Sequence, residues 1–234
     1  MSIKPSKIKS LFIFLFIFFL SSCKNLPNNY KGNSKVYKEI ESIDINNLMV
    51  RLLESDKNLT PKLNYSKDGG SYYSYIKKPG EGDLSLKEIK KRVSLGSQFY
   101  EKDRENIKML LGKINELKIN NTLSYIESGA LGLWIPNKEQ IVIDYKVISM
   151  GSPTFLDVLS HEIIHVAQSC STSSRKNFPK RIGLPLEFSK EINLNLSHNV
   201  YSRNSKEVMY LEREAFTYSK VDGAAIKLLN KFCK

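Results

Sequence analysis

The chain has 234 residues, of which 41% are hydrophobic and 26% charged, and its formal net charge is +12. This length and composition allow one globular domain of ordinary size. The positive charge indicates anionic surroundings such as lipid headgroups or acidic polymers. No nucleic-acid-binding module is expected, because the lysines are spread along the chain and aromatic residues do not interleave with them.

Residues 1–22 have the pattern of an export signal. Lys4, Lys7 and Lys9 form a positive region, and residues 11–20 are continuously apolar. The apolar stretch is shorter than the ~20 residues that span a bilayer, and its length is typical of the core of a signal peptide. Residues 20–23 read Leu-Ser-Ser-Cys, which resembles the lipobox of bacterial lipoproteins.

This resemblance implies that residues 1–22 are removed and that lipidated Cys23 anchors the protein to a membrane. The alternative is an ordinary secretory signal with a cysteine at its cleavage site. Both interpretations place the protein in the bacterial cell envelope, facing the periplasm or the exterior, and leave inner or outer membrane open.

The region before the main domain is predicted to be irregular and helical. Residues 23–35 are polar and predict a tether. Residues 36–83 predict a helical and loop region, with two short helices between Val36 and Glu54. The first helix centres on Ile40 and Ile43, and the second has Leu48, Leu52 and Leu53 on its apolar face. Residues 59–83 are rich in Pro, Gly, Ser and Tyr and predict a long loop.

Residues 84–234 are predicted to form the main domain. Ser85 is expected to cap a long helix that breaks at Gly96. Its core face is predicted to contain Ile89, Val93, Phe99, Ile107, Leu110, Leu111, Ile114 and Leu117. Three strands are predicted after it, at residues 122–127, 131–135 and 140–145.

The next segment contains His161-Glu162-Ile163-Ile164-His165. A helix is predicted from Ser152, taken as its N-cap, and Pro153, because apolar residues recur at helical spacing after them. On a helix, residues i and i+4 share a face, so His161 and His165 can present two imidazoles to one metal ion. Glu162 lies about 100° around the axis, where it can reach a metal-bound water. The alternative is a buried helix whose histidines are satisfied by hydrogen bonds.

The order of a long helix, a small antiparallel sheet, the His-Glu-x-x-His helix and further helices resembles that of the zincin metallopeptidases. The resemblance implies an α+β, zincin-like fold in which the sheet packs on the active-site helix. It also implies that an edge strand, here residues 131–134 or a neighbouring strand, pairs with extended substrate.

Zincins with two histidines in the motif usually take a glutamate from a later helix, which is the gluzincin arrangement. Glu212-Arg213-Glu214-Ala215 resembles the Glu-x-x-Ala pattern of such families, which implies that Glu212 is the third ligand of Zn²⁺. Phe216 stands where those families often have an acid. Glu214 is the alternative ligand, and it points about 200° away from Glu212 on a helix, so only one of the two can face the metal.

The resemblance implies a membrane-anchored zinc metallopeptidase that hydrolyses peptide or protein substrates among exported or envelope proteins. Glu162 would be the general base. Candidates for a donor to the transition-state oxyanion are His198, Tyr201, Tyr210 and Tyr218. Two alternatives are a catalytically inactive zincin-fold lipoprotein that serves as a binding or assembly factor, and a metal-free basic lipoprotein that binds anionic polymers. The oligomeric state stays open.

Two cysteines remain if Cys23 carries lipid. An exported protein with two further cysteines, here Cys170 and Cys233, favours a disulfide between them. Such a bridge would hold the C-terminal helix beside the motif helix. The alternative is two buried thiols.

Overall fold

The computed structural model describes residues 37–77, 82–197, 201 and 204–233. The expected signal peptide, Cys23, the tether and His198 lie outside the described residues. The described part has an α+β fold with two small sheets. None of its helices combines the length and the apolar character needed to cross a membrane.

Strands and helices make up most of the described residues. They are β1 (Tyr37–Ser42), α1 (Ile45–Leu59), β2 (Lys62–Tyr65), β3 (Ser71–Ser74), α2 (Leu86–Leu95), α3 (Glu101–Glu116), β4 (Asn120–Ile126), β5 (Gly132–Ile135), β6 (Gln140–Asp144), α4 (Lys146–Ser149), α5 (Ser152–Cys170), α6 (Lys190–Leu196), α7 (Lys206–Ser219) and α8 (Ala224–Phe232). Short 3₁₀ turns occupy Gly96–Tyr100 and Pro136–Lys138.

The main sheet has the strand order β1-β4-β6-β5. The three strands expected from the sequence are present as β4, β5 and β6, but the expectation of an antiparallel sheet is wrong for the central pair. β4 and β6 are parallel, whereas β1 pairs antiparallel with β4 and β5 antiparallel with β6. After β4 the chain forms β5 at the edge of the sheet. The next strand, β6, then lies between β4 and β5. Alternation of apolar residues predicts strands but not the order in which they pair.

Two helices are expected between Val36 and Glu54. The prediction of the first one is wrong, because residues 37–42 form β1. This strand pairs with β4 from Tyr37 opposite Ile126 to Ser42 opposite Thr122. A short segment with few apolar positions fits helix and strand equally well, and the available edge of β4 decides between them. Residues 37–42 therefore belong to the same sheet as the expected main domain.

The second helix is present as α1, which begins after Asp44 and extends five residues beyond the expected end at Glu54, to Leu59. Leu48 and Leu52 are buried in the main core together with residues of α3 and α5. Leu53 was expected on the apolar face but is 40% exposed.

The expected loop at residues 59–83 contains a hairpin of β2 and β3. Its turn is closed by hydrogen bonds between Ser66 and Gly69 and between Ser66 and Gly70. Gly69 has φ +79°, a conformation that glycine adopts without steric cost. The glycines read as loop residues from the sequence thus form the turn of a hairpin, and residues 78–81 lie outside the description.

The expected long helix with a break at Gly96 is confirmed as α2 and α3. Ser85 and Glu88 form a reciprocal capping box at the start of α2, and Gly96 ends that helix with φ +53°. The expected core residues Ile89, Ile107, Leu110, Leu111 and Ile114 are buried. Val93 was expected on the core face but is 41% exposed.

Helix α5 is the centre of the fold, since almost all of its residues are buried. Its N-cap is Gly151 and not Ser152. Ser152 lies inside the first turn, where its backbone N–H and its hydroxyl each donate to the Asp56 carboxylate at 2.7 Å. Asp56 lies on α1 and also forms an ion pair with Arg104 of α3. One fully buried carboxylate therefore ties α1 and α3 to the start of α5.

Replacing Asp56 with alanine is expected to lower the free energy of unfolding by about 3 kcal/mol, because Arg104 and the Ser152 N–H would lose a buried partner. Urea unfolding followed by circular dichroism measures this. Asp222→Ala is the matched control, since Asp222 pairs with Lys102 on the surface, and no measurable change is expected there. Equal stability of the two variants would show that Asp56 does not tie these helices together.

The disulfide expected between Cys170 and Cys233 is present. The two Cα atoms are 5.2 Å apart and the cysteines are separated by 63 residues in sequence. The bridge joins the end of α5 to the end of α8, and it holds α8 beside the helix that carries the motif.

Replacing both cysteines with alanine is expected to cost about 2–4 kcal/mol of unfolding free energy, because the bridge closes a long loop in the unfolded chain. Denaturant unfolding of the soluble chain that begins at residue 24 measures this. Dithiothreitol should destabilise the parent to the same extent and leave the double variant unchanged. Reagent-accessible thiols in the unreduced, unfolded parent would contradict the bridge.

Candidate metal centre

Three side chains from two helices converge at the middle of α5. His161 and His165 lie one turn apart on α5, and Glu212 reaches them from α7. The two Nε2 atoms are 3.1 Å apart, and Glu212 Oε2 lies 3.2 Å from His161 Nε2 and 3.4 Å from His165 Nε2. All three residues are buried. This cluster could hold a metal ion.

The spacing of these atoms suits a tetrahedral zinc site. Zinc–ligand bonds of about 2.0–2.1 Å place neighbouring ligand atoms about 3.3–3.4 Å apart. The second Glu212 oxygen, Oε1, is buried and has no hydrogen-bond partner among the described residues. A buried carboxylate with an unsatisfied oxygen needs a compensating charge, which a cation at this position would supply. Two imidazoles and one carboxylate form a donor set that zinc accepts.

The electrostatics of the cluster without metal also favour a cation. Burial lowers the pKa of His161 to about 4, so this imidazole is neutral. Burial opposes the charge on His165, but the Glu212 carboxylate and hydrogen bonds outweigh burial and raise its pKa to about 9. Burial likewise opposes the charge on Glu212, but the two histidines lower its pKa to about 2. The cluster thus stabilises one positive charge beside an ionised carboxylate, and a metal ion would replace that proton.

Glu162 lies beside the edge strand of the sheet. A Cβ atom on Gly132 of β5 would lie 2.7 Å from Glu162 Oε1 and 2.8 Å from Val158 Cγ1. Only glycine therefore lets β5 approach α5 this closely. Glu162 is 1% exposed and does not belong to the ligand cluster. The helix thus directs two histidines to the cluster and the intervening glutamate to the strand.

Strand β5 is an edge of the main sheet, as expected for the segment 131–134. It pairs with β6 on one side. The Trp134 indole N–H donates to Ser169 Oγ at 2.9 Å, which fixes the strand to α5. Among the described residues no strand pairs with the other side of β5.

Phe216 follows Glu212 by one turn of α7. The centroid of its ring lies 4.3 Å from that of the His161 ring, at an interplanar angle of 49°. Families with the Glu-x-x-Ala pattern often have an acid at this position, and this chain has an aromatic ring instead. Its contact with the imidazole restricts the orientation of His161 by packing and not by a hydrogen bond.

Glu214 is also fully buried, but it lies outside the cluster. Its carboxylate accepts hydrogen bonds from the Gln168 side chain and from the backbone N–H groups of Ile182, Gly183 and Leu184. The structure therefore brings Glu212 and not Glu214 to the two histidines. The opposed directions expected for these two glutamates on one helix are observed.

The candidates for the oxyanion donor lie in different surroundings. His198 lies outside the described residues. Tyr201 is buried in a cluster with Ile192, Leu196 and Phe216. Tyr210 is 44% exposed, and Tyr218 packs against the main core. We assign no oxyanion donor.

Three residues of the site were missed in the sequence. Nothing in the local sequence indicates that Gly132 contacts α5. The role of Gln168 could have been predicted, because it lies three residues after His165 on the same face of the helix and can accept from the second ring nitrogen. Glu214 was weighed only as a ligand.

Comparisons with models of protein families, with curated proteins and with solved structures found no match to this chain. The interpretation of the site therefore rests on its own residues and geometry.

Proposed function

We propose that the protein is a zinc-dependent metallopeptidase with a gluzincin-like ligand set. The observation that carries the proposal is the cluster of His161, His165 and Glu212, with ligand atoms 3.1–3.4 Å apart and with Glu162 directed to an adjacent edge strand. The fold class supports it only in the coarse sense that a sheet edge packs on the motif helix.

In the proposed chemistry, the three residues of the cluster bind the metal and Glu162 transfers the proton. His161, His165 and Glu212 would hold Zn²⁺, which when bound supplies Lewis-acid activation of water and of a peptide carbonyl. Glu162 takes the proton of the attacking water and passes it to the leaving amine. Glu162 is 1% exposed, and such buried surroundings would exclude bulk water during the reaction.

The edge of β5 supports a peptide as substrate. An extended peptide can add to a sheet edge through backbone hydrogen bonds, which are independent of its sequence. Gly132, Leu133 and Trp134 are buried, so this edge would have to be uncovered first. A peptide there would lie alongside Gly132, which Glu162 approaches from the side of α5. We therefore propose cleavage of exported or envelope proteins in extended segments.

The proposed location follows from the N-terminal sequence alone. Lipid on Cys23 would hold the domain at a membrane through residues 23–35, facing the periplasm or the exterior. In this setting the net charge of +12 favours contact with anionic surfaces.

A second candidate function is a zincin-fold lipoprotein that binds zinc but has no turnover and acts as a binding or assembly factor. The burial of the site favours it, since His161 and Glu162 are only 3% and 1% exposed. A substrate would have to gain access to these groups before any reaction.

The test uses the soluble chain that begins at residue 24. We expect about one zinc per chain and cleavage of an unfolded protein that stops with a chelator and returns with zinc. Zinc without cleavage of any unfolded substrate would support the second candidate. A chain that takes up no zinc after supplementation would refute both.

A further inference from the structure

A chain of hydrogen bonds connects His165 to the irregular segment between α5 and α6. We call residues 178–189 the strap. His165 Nδ1 lies 2.7 Å from Gln168 Oε1, and Gln168 Nε2 donates to Glu214 Oε2 at 2.9 Å. Glu214 in turn accepts from the strap backbone. The chain thus runs from the proposed ligand, through two buried side chains, to the strap.

If a metal is bound at the cluster, the donor and the acceptor of each of these hydrogen bonds are determined. His165 faces the cluster with Nε2, which must be unprotonated to bind a metal. The ring proton is therefore on Nδ1, and Gln168 Oε1 accepts it. The amide nitrogen of Gln168 then points to Leu211 O, at 3.2 Å, and to Glu214. A carboxylate can only accept, so Glu214 fixes which way the Gln168 amide is oriented.

The Glu214 carboxylate is held firmly. The N–H groups of Ile182, Gly183 and Leu184 donate to it at 2.8, 3.0 and 2.9 Å. Gly183 has φ +89°, which allows the strap to turn all three N–H groups toward one carboxylate. Glu214 is 0% exposed, and a buried carboxylate is retained only where such donors compensate for lost hydration.

The two histidines of the cluster are oriented by different means. His161 Nδ1 is buried and has no hydrogen-bond partner among the described residues, and its ring contacts Phe216. Among the described residues, only His165 has a polar partner at Nδ1, the ring nitrogen that does not face the cluster. Its orientation therefore depends on Gln168, and through Gln168 on Glu214.

We propose that Gln168 and Glu214 are positioning residues of the metal centre, and that they couple the conformation of the strap to metal occupancy. This inference rests on the proposed zinc site. Glu214 orients the Gln168 amide, and Gln168 holds His165 with its proton on Nδ1 and its Nε2 toward the metal. Coupling is reciprocal, so metal binding also stabilises the strap that anchors Glu214.

Gln168→Met tests the first part, because methionine is similar in length but neither accepts from His165 nor donates to Glu214. We expect zinc affinity to fall by about 10–100-fold, as for other partners of metal-bound histidines. With cobalt as a spectroscopic probe, we expect the ligand-field absorption bands to shift. Gln140→Met is the control, since Gln140 is a buried glutamine on β6 that donates to Thr122. It should leave affinity and spectrum unchanged.

Hydrogen exchange of the strap tests the coupling. In the parent, zinc should slow exchange of the amides at 182–184, and in Gln168→Met this effect of zinc should disappear. Glu214→Gln is the second variant, because it keeps the size of the side chain but weakens the bonds to the strap. It should speed exchange at 182–184 and lower zinc affinity several-fold.

The outcomes separate the two proposals. A parent that binds neither zinc nor cobalt refutes the proposed function and, with it, this inference. A parent that binds zinc, with Gln168→Met equal to Gln140→Met in affinity and spectrum, overturns the positioning role alone. Faster strap exchange in Glu214→Gln with unchanged zinc affinity would show that the strap is held independently of the metal centre, which overturns the coupling.

Discussion

Glu212→Ala is expected to lose stoichiometric zinc. Structural zinc sites contribute about 10–16 kcal/mol over four ligands, so removal of one ligand costs on the order of 3 kcal/mol, a loss of roughly 100-fold in affinity. The loss should be larger in this site, because the two histidines alone leave half of a tetrahedral shell to water. Metal analysis after gel filtration and a competition titration with a chromophoric chelator measure it. Hydrolysis should fall with the metal content.

Glu207→Ala is the matched control for this result. Glu207 lies in the first turn of the same helix, α7, and is exposed. It should keep the parent's zinc and activity. A Glu212→Ala protein that still held one zinc with parental affinity would show that the third ligand lies elsewhere, and the cluster would then be only a group of buried polar side chains.

The helices of the main domain could be predicted from the sequence because their signals are local. Ser85 and Glu88 form a capping box within one turn, Gly96 ends α2 by its own backbone conformation, and the apolar face of α3 repeats at helical spacing. Residues 37–42 carry no such signal. They form β1 because β4 offers an edge to pair with, and this is a property of the assembled sheet.

The parallel pairing of β4 with β6 was missed for the same reason. The sequence between them contains a strand and short turns, which suggests a simple antiparallel succession. Burial of all five residues of β6 reflects its position between two strands, with both faces covered. Strand order depends on contacts between segments, and no local pattern specifies it.

The residues of the site also fall into two groups, those that the local sequence predicts and those that depend on contacts with distant segments. The spacing of His161 and His165 and the position of Glu162 follow from helix geometry and could be predicted. Glu212 could be proposed only by resemblance, because it approaches from another helix. The roles of Gly132 and Glu214 depend on contacts with distant segments, namely α5 for Gly132 and the strap for Glu214. A local pattern cannot predict contacts of this kind.

Glu162→Gln is expected to lower kcat/KM for peptide hydrolysis by about 10²–10⁴-fold, the usual contribution of a general base. Glutamine keeps the size of the side chain but cannot accept a proton from water at neutral pH. Zinc content should stay at the parental value, because Glu162 is not part of the cluster of His161, His165 and Glu212. A peptide with a fluorophore and a quencher, at several concentrations, separates kcat from KM.

The combination of unchanged zinc and lost turnover is what distinguishes a base from a ligand or a structural residue. Glu187→Gln is the control, since Glu187 is exposed on the strap, and its activity should equal that of the parent. In the proposed mechanism Glu162 would act on the attacking water and not on the bound peptide backbone, so the substitution should act mainly on kcat. A Glu162→Gln protein with full zinc and full activity would assign the proton transfer to another group. The proposed zinc site would then need a base from outside the motif, and the edge strand β5, which Glu162 contacts at Gly132, would lose its link to the chemistry.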